Sequence, residues 1–375
     1  MNLFERFEVL EDPRDTRGKK YKLIDILIMT IYGLLCGLKD YTNIADFMKL
    51  KEDYFTKLLG LENGTPSHDC LSDVVGAIDS KKFMEIFIEW TKEIVKNKTG
   101  KHISIDGKAI KSATDKINNG NIPYIVSAFI GEIGLSIGQV KVEDKTNEIT
   151  AIPDLLDLLE LKGSIITIDA IGTRETIINK IIEKKAHYVL KVKDNQRELK
   201  KQIKNHFDSY NNLYGNKEIM HQKSIEKNHG RIEEREYFLT YNVSSIKDKK
   251  KWESVKAIAY VKVSRTEKDE TTITKHYYII DHKIDIKTLI ESIRDHWSIE
   301  CGLHWRLDVI FDEDHSRNRV NNSINNLSII RKIVFHLASL DNSFGKVPLQ
   351  RKLTRYMLDF SHIEKLIFEV IPSIS

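Results

Sequence analysis

Hydrophobic positions in the first part of the chain recur at the spacing of α-helices. Between residues 23 and 35, apolar side chains return every three or four positions, which predicts a helix with a buried face. A second stripe comprises Phe83, Ile86, Phe87, Trp90 and Ile94. Large apolar residues at this spacing usually pack in a core, so residues 1–100 are predicted to form an all-α N-terminal region.

The pattern changes at residue 101, where short apolar runs begin to predict strands. The predicted strands are His102–Asp106, Tyr124–Ile130, Leu135–Val142, Ser164–Asp169 and His187–Val192. Helical spacing at Glu148–Leu161 and Glu175–Lys185 predicts two helices between the last three strands. Strands joined through a crossover helix normally pair in parallel, so residues 101–212 are predicted to form an α/β core.

A second change follows at about residue 213. Strands are predicted at Glu236–Val243, Val255–Val263 and Thr274–Asp281, with charged loops between them. Residues 213–283 are therefore interpreted as an inserted β-rich unit. Helical spacing returns in Ile286–Ile310 and Asn326–Leu340, so residues 284–375 are predicted to complete the core and to end in helices.

Composition and charge limit the cellular context and the possible partners. The most apolar run, Ile24–Leu38, is too short to cross a hydrocarbon layer of about 30 Å and is interpreted as a buried helix. The three cysteines Cys36, Cys70 and Cys301 form no CxxC pair, so neither a disulfide framework nor a structural zinc site is expected. A reducing, cytoplasmic compartment fits this pattern. The net charge of +4 permits nucleic-acid binding only through a segregated basic surface.

Two aspartates stand at the ends of predicted strands. Asp106 is the last residue of the sequence I-S-I-D in the first predicted strand of the core, and Asp169 is the last residue of I-T-I-D in the fourth. The carboxyl ends of neighbouring parallel strands are the usual site for a ligand. Two carboxylates there would repel one another unless a cation lay between them. Hard oxygen ligands favour Mg²⁺ or Mn²⁺.

Glu300 is the candidate for a third carboxylate. It lies in a predicted helix whose apolar stripe, formed by Trp297, Ile299, Leu303 and Leu307, is expected to dock on the sheet. Three carboxylates can hold two metal ions that activate a nucleophile and stabilise the leaving oxygen of a phosphodiester. An aspartate at a strand end is also a common turn former, and the residues alone leave this second interpretation open.

A rival interpretation uses histidine. His296, Glu300 and His304 are spaced i, i+4 and i+8 on one helix face, which suggests a zinc or iron site. Three ligands along one helix spread over roughly 12 Å at about 1.5 Å per residue, which is too far for one ion. This site is therefore disfavoured, and a histidine contact to phosphate is the alternative.

Several short motifs occur along the chain. In chain order, they are Asp12-Pro13-Arg14, Ile105-Asp106-Gly107-Lys108, Lys145-Thr146-Asn147-Glu148-Ile149, Thr167-Ile168-Asp169-Ala170, Lys193-Asp194-Asn195-Gln196 and His296-Trp297-Ser298-Ile299-Glu300. Taken together, they resemble the DDE transposases of bacterial insertion sequences, of the ISAs type or H-repeat-associated group, and the resemblance extends over nearly the whole chain. Any one motif is weak, but their order and separations together are specific.

The resemblance implies an RNase H-like core in which Asp106, Asp169 and Glu300 bind two Mg²⁺ ions, with Mn²⁺ as a substitute. It also implies a β-rich insertion between the second aspartate and the glutamate, where the strand pattern independently places one. The implied function is metal-dependent cleavage at the ends of an insertion sequence and strand transfer into target DNA. The implied partners are double-stranded DNA, bound in part by residues 1–100, and a second copy in the synaptic complex.

Basic residues near these motifs are candidates for DNA contact. The candidates are Lys108, Lys145, Lys193, Arg294, His296, His304 and Arg317. For the lysines, a solvated surface is the equally weighted alternative. Two other functions also stay open: a metal-dependent nuclease that cuts without joining strands, and a catalytically decayed DNA-binding derivative.

Overall fold

The computed structural model describes residues 2–15, 17, 19–95, 100–114, 122–142, 148–210, 212–228, 230–268 and 270–369. Within these ranges the chain is a mixed α/β protein in which nine strands form one sheet. The strands are β1 His102–Ala109, β2 Tyr124–Ile130, β3 Leu135–Val142, β4 Ile165–Ile168, β5 His187–Val192, β6 Met220–Asn228, β7 Arg231–Thr240, β8 Ala257–Glu267 and β9 Glu270–Ile280. Their spatial order is β3-β2-β1-β4-β5-β9-β8-β7-β6.

Helices precede the sheet, cross between its strands and follow it. Those before and within the sheet region are α1 Leu3–Phe7, α2 Leu23–Leu35, α3 Tyr41–Leu50, α4 Glu52–Leu59, α5 His68–Ala77, α6 Ser80–Ile94, α7 Glu148–Leu158, α8 Glu175–Glu183 and α9 Arg197–Asp208. Those after it are α10 Ile286–Ser298, α11 Trp305–Phe311, α12 Ser323–Leu340, α13 Leu349–Leu358 and α14 Ser361–Phe368. A π-helical turn, Ile299–His304, connects α10 to α11.

The first five strands confirm the β-β-β-α-β-α-β order predicted from the apolar runs. Strands β1, β2 and β3 form an antiparallel meander. Strand β4 pairs in parallel with both β1 and β5, as expected when helices α7 and α8 carry the chain back across the sheet. All four residues of β4 are buried, which is why this strand shows a continuous apolar run.

The strands between residues 213 and 283 extend this same sheet. Strand β9 pairs antiparallel with β5, and β8, β7 and β6 follow in turn. The prediction missed β6, whose sequence M-H-Q-K-S-I-E-K-N lacks apolar alternation. This strand lies at the edge of the sheet, where polar and charged side chains are common because they discourage pairing with other chains.

The N-terminal helices share a hydrophobic core with the C-terminal helices. Helix α12 is buried along most of its length and packs against α2, α5 and α6, while α14 packs against α1 and α2. The run predicted as a buried helix is α2, and most of its side chains are inaccessible. Within the described residues, no helix combines the length and the apolar character needed to cross a membrane. The change of pattern near residue 100 therefore separates two parts of the sequence, but both parts contribute to the same hydrophobic core.

Asn326 of α12 ties two N-terminal helices together. Its buried side-chain amide donates to the carbonyl oxygens of Val75 and Ile78, at 2.8 and 2.9 Å. Its side-chain oxygen accepts from the Ser80 hydroxyl at 2.7 Å. These bonds satisfy two buried backbone carbonyl groups at the end of α5 and the hydroxyl of the first residue of α6.

We expect Asn326→Ala to lower the free energy of unfolding by about 1–3 kcal/mol, because the buried Val75 carbonyl and the Ser80 hydroxyl lose this partner. The Ile78 carbonyl keeps a 3.0 Å hydrogen bond from the Asn322 side chain. Urea denaturation would measure the change. Asn342→Ala, at an exposed position, is the matched control and should change the stability little. Equal effects of the two substitutions would contradict the assigned role of Asn326.

Candidate active site

Asp106 and Asp169 lie side by side at one edge of the sheet. The parallel ladder between β1 and β4 ends at the pair Ile105↔Ile168, and each aspartate is the residue that follows. Strand β1 does not end at Asp106 as predicted, because it continues to Ala109 in antiparallel pairing with β2. Beyond β4 the chain leaves the sheet in a 3-10 turn, Ala170–Gly172. The structure therefore brings together the two aspartates that the strand pattern predicted to meet.

The segment that carries Glu300 is docked across β1 and β4. The Ser104 hydroxyl of β1 donates to the carbonyl oxygen of Asp295 in α10, at 2.9 Å. A side chain at Gly131 would collide with Ser298, since a Cβ there would lie 2.2 Å from the Ser298 hydroxyl oxygen. Glycine at this position therefore allows close approach of the helix. Glu300 itself lies in the π-helical turn, a distortion that often occurs at functional sites.

One detail of the predicted docking stripe is wrong. Ile299, Leu303 and Leu307 are buried as expected, but the Trp297 side chain is 56% exposed. Trp297 is two residues from Ile299, which places it on nearly the opposite side of the helix. It lines a cavity of about 100 Å³ together with Asp169, Lys193 and Glu300.

The carboxylates repel one another. Burial raises the pKa of Asp106 to about 7, and the charges of Glu300, Glu148 and Asp169 add to the effect. Asp169 shows the opposite balance. Burial alone would raise its pKa, but a 2.8 Å hydrogen bond from Lys193 holds the pKa below its ordinary value. The pair thus differs in proton affinity because only one member has an adjacent cation.

Basic side chains cluster around Asp169. Burial and the like charge of Lys193 lower the pKa of Lys191. Burial, with the positive charges of Lys191 and Lys193, lowers the pKa of both His276 and His296 to about 4. Both imidazoles are therefore neutral near pH 7, and the lysines supply the positive charge.

Two residues of the Lys193–Gln196 motif hold the turn that follows Asp169. The Asn195 amide donates to the Ala170 carbonyl at 2.7 Å, and the Gln196 amide donates to the Thr173 carbonyl at 2.9 Å. These two hydrogen bonds give the motif a structural role. It fixes the backbone next to the second aspartate and brings Lys193 within reach of that carboxylate.

The histidine interpretation fails because its ligands contact different strands. The His296 Nδ1 atom lies 3.3 Å from the Thr167 hydroxyl of β4. The His304 Nδ1 atom lies 3.5 Å from a carboxylate oxygen of Asp106 in β1. Burial and nearby lysines lower the pKa of His304 to about 3, so it too is neutral. The helix does not gather these histidines around one point.

Lys108 occupies a different environment from the DNA-facing surface predicted for it. Its side chain is 9% exposed and its ammonium pairs with Asp308 and with Glu313, the latter at 2.8 Å. Burial alone would raise the pKa of Glu313, but Lys108, Lys332 and Arg331 hold it at about 2. The arrangement favours a structural role for Lys108, which joins β1 to the segment after Glu300.

The other predicted DNA contacts are scattered. Lys193 is beside Asp169, and its side chain is 48% exposed. Arg294 pairs with Glu226 of β6, so it faces the added strands. Arg317 is exposed after the 3-10 turn Glu313–His315. Lys145 lies outside the described residues.

Two residues near the site were missed as site residues by the sequence reasoning. Glu148 begins α7, and a Cβ on Gly107 would lie 2.2 Å from its carboxylate oxygen, so it lies against β1 beside Asp106. In the sequence, only the place of Glu148 in the motif Lys145–Ile149 indicated a role near the site. His276 is in β9 near Lys191 and Lys193, and an isolated histidine in a polar strand gives no signal of this placement.

Comparison with known proteins agrees with this geometry. The family model described as "Transposase DDE domain" matches residues 98–335, and the model described as "DDE_Tnp_1-associated" matches residues 4–91. This chain belongs to the DDE transposases, in the H-repeat-associated group. The matched segment contains all three carboxylates of the candidate site.

Similar proteins extend over almost the full length. The putative transposase YncI of Escherichia coli O157:H7 is 36% identical over 98% of this chain and 94% of its own length. The H repeat-associated putative transposase YhhI of Escherichia coli strain K12 is 33% identical over 97% of both chains. A cryo-EM structure of the piggyBac transposase synaptic complex with hairpin DNA matches 100% of this chain and 78% of that chain, with a TM-score of 0.44 and 12% identity.

The opposite electrostatic states of the two aspartates predict opposite effects of amide substitution. Native Asp106 keeps its proton up to about pH 7 while the unfolded chain releases it near 3.8, so its contribution to stability falls as the pH rises through that window. In EDTA at about pH 8, Asp106→Asn should therefore raise the melting temperature by several degrees, and the gain should shrink towards about pH 5.

Asp169→Asn is the matched comparison. The depressed pKa of Asp169 means that its ionised form stabilises the native state above the unfolded pKa, and this contribution is lost as the pH falls. Asp169→Asn should therefore lower the melting temperature at about pH 8. The same sign of change for both variants would contradict the assigned charge balance.

We expect Lys108→Met to destabilise the protein by about 3–5 kcal/mol, because it leaves the buried Glu313 carboxylate without its nearest cation. Urea denaturation would measure the change. Lys111→Met is the control, since Lys111 pairs with Asp314 but its side chain is 71% exposed; it should cost less than about 1 kcal/mol. Comparable losses from both substitutions would refute the structural role of Lys108.

Proposed function

We propose that this protein cleaves DNA at the ends of an insertion sequence and joins the freed ends to target DNA. The observation that carries the proposal is the adjacency of Asp106 and Asp169 where the parallel β1–β4 ladder ends, with Glu300 docked beside them. Membership of the DDE transposase family supports the same chemistry. The strand transfer step is the part that an experiment must test.

The sheet order supports a more specific fold assignment. We propose that β3-β2-β1-β4-β5 with its helices is an RNase H-like core. Strands β6 to β9 would then be the β-rich insertion between Asp169 and Glu300, and the N-terminal helices would contribute to DNA binding. Exposed Lys193 and Arg317 would contact phosphates. Arg294, paired with Glu226, would have to exchange this partner for a phosphate.

The donor set fits hard divalent cations. Asp106, Asp169 and Glu300 offer carboxylate oxygens only, which suits Mg²⁺ or Mn²⁺. The raised pKa of Asp106, which comes partly from its neighbours' charges, indicates that added positive charge would stabilise the ionised carboxylates. Two such ions, when bound, would lower the pKa of a nucleophile and stabilise the leaving oxygen.

The protein's own groups would position the substrate. Lys193 and Lys191 lie beside Asp169, where a phosphate could take over the contact that Lys193 now makes with the carboxylate. His296 and His304 are neutral, so they would act as hydrogen-bonding groups and not as counter-charges. The exposed ring of Trp297 closes one side of the cavity that contains Asp169 and Glu300.

The proposed reaction proceeds in two displacements at phosphorus. Water first breaks the phosphodiester at the end of the element and leaves a free 3′-hydroxyl. That hydroxyl then attacks a phosphodiester of the target, and the displaced strand leaves with a new 3′-hydroxyl. Positioning and charge stabilisation account for catalysis of this kind, and no covalent link between protein and DNA forms. Two copies would hold the two ends together, as the family resemblance implies.

Joined products should appear when the protein is incubated with Mg²⁺, a labelled duplex carrying the element's own end and a supercoiled target plasmid. Glu300→Gln should reduce joining by at least about 100-fold, because it removes one charged ligand of the site. Glu291→Gln, at an exposed position of the same helical segment, should retain activity.

Other outcomes would separate the alternatives. Nicked substrate without joined product would favour a nuclease. Bound but uncut DNA in every sample would favour a catalytically decayed DNA-binding derivative. Equal joining by wild type and Glu300→Gln would remove Glu300 from the site.

A further inference from the structure

A second cluster of metal-binding side chains lies away from the three carboxylates. The Nδ1 atom of His187 lies 2.9 Å from one carboxylate oxygen of Asp281, and the Nδ1 atom of His282 lies 3.0 Å from the other. The two imidazole rings are 4.0 Å apart between centroids. Among the described residues this is the group of three whose ligand atoms all lie within 4.8 Å of one another.

The strand register builds this cluster. Strands β5 and β9 are antiparallel, with Val189 opposite Ile280, so two steps further along the same register His187 faces His282. Asp281 lies between them and accepts a 2.8 Å hydrogen bond from the backbone N–H of Tyr188. His187 is the first residue of β5, and Asp281 and His282 are the two residues that directly follow β9. The paired strands and the hydrogen bonds to Asp281 thus hold the three side chains together before any ligand binds.

The donor chemistry differs from that of the carboxylate site. Two imidazole nitrogens and one carboxylate oxygen form a set typical of Zn²⁺ and neighbouring transition metals, whereas Mg²⁺ prefers oxygen donors alone. Donors about 2.0–2.2 Å from a tetrahedral ion lie a little over 3 Å from each other, so the present spacings need only small adjustments. Asp281 is almost buried, while His187 and His282 are partly exposed, which leaves room for water as a further ligand.

The location suggests what such an ion would do. Strand β5 begins at the cluster and ends next to Lys193, so the cluster is separated from Asp169 by the length of a six-residue strand, roughly 20 Å. It lies where the first five strands meet the four added ones. The β5–β9 ladder runs only from Val189↔Ile280 to Val192↔Tyr277, much shorter than the neighbouring β8–β9 ladder.

We propose that His187, Asp281 and His282 bind one divalent transition-metal ion, Zn²⁺ or a close neighbour, which fastens β9 to β5 at this junction. The ion is structural and is separate from the Mg²⁺ or Mn²⁺ proposed for the carboxylates. The cysteine pattern gave no sign of it, because none of its ligands is a cysteine.

The test uses the full-length protein with Asp106→Asn and Asp169→Asn, so that the carboxylate site does not compete for zinc. After removal of metals, Zn²⁺ is titrated against a chromophoric chelator. We expect one equivalent to bind at micromolar free zinc and to raise the melting temperature, whereas Mg²⁺ at the same concentration should do neither. Co²⁺ should give the visible absorption of a nitrogen- and oxygen-ligated ion.

His187→Gln and His282→Gln, each made in this background, should weaken zinc binding by at least about 10-fold and abolish the thermal shift. His315→Gln is the matched control, because His315 also pairs with an aspartate, Asp312, at 2.6 Å but has no second histidine; it should bind zinc as the background does. Circular dichroism confirms that each variant is folded.

The proposal is overturned if the background protein binds no zinc, or if zinc binds equally after either histidine substitution. Because the two variants replace ligands on different segments of the chain, misfolding of one leaves the other as a valid test.

Discussion

The parallel pairing of β1 with β4 is the constraint on which the candidate site depends. Parallel strands end at the same edge of a sheet, so the register that pairs Ile105 with Ile168 also forces Asp106 and Asp169 together. At Asp169, the charge of Lys193 opposes the resulting repulsion. At Asp106, the repulsion contributes to a raised pKa. A one-residue change of register would turn one of these side chains to the other face of the sheet.

A buried network of charged side chains fixes the segment that carries Glu300 relative to Asp106 and Asp169. Lys108 lies two residues beyond Asp106 in β1, and it contacts Asp308 of α11 and the fully buried Glu313. Arg331 and Lys332 of α12 complete the charge balance around Glu313. Because removal of one member leaves the others buried and unbalanced, the network resists displacement of the segment that follows Glu300. Lys108 therefore connects β1 to the segment that follows Glu300, with its ammonium group directed at these carboxylates.

The sheet also combines two sets of strands that differ in chemistry. Strands β1 to β5 are largely buried, whereas β6 to β9 expose many charged and threonine side chains towards their far ends. Their junction at β5 and β9 carries the carboxylate site's lysines at one end, and His187, Asp281 and His282 at the other. One short ladder thus connects residues near the candidate active site to the proposed metal site at the opposite end of these strands.

The order of the helices and strands in the core and the family could be predicted from the sequence, because apolar periodicity and short motifs are local properties. The pattern also predicted the extra strands before Glu300, apart from β6, which is polar because it lies at the edge of the sheet. It placed the end of β1 at Asp106, whereas the strand continues to Ala109 because β2 pairs with these residues.

Contacts between distant parts of the chain could not be predicted in this way and are known from the fold. The fold shows that the added strands continue the main sheet, that Lys108 is buried against Asp308 and Glu313, and that the Trp297 ring is exposed beside Asp169 and Glu300. It also placed His187 opposite His282. Each of these depends on strand register or helix docking across many intervening residues, and local periodicity carries no information about which buried partner a charged side chain will meet.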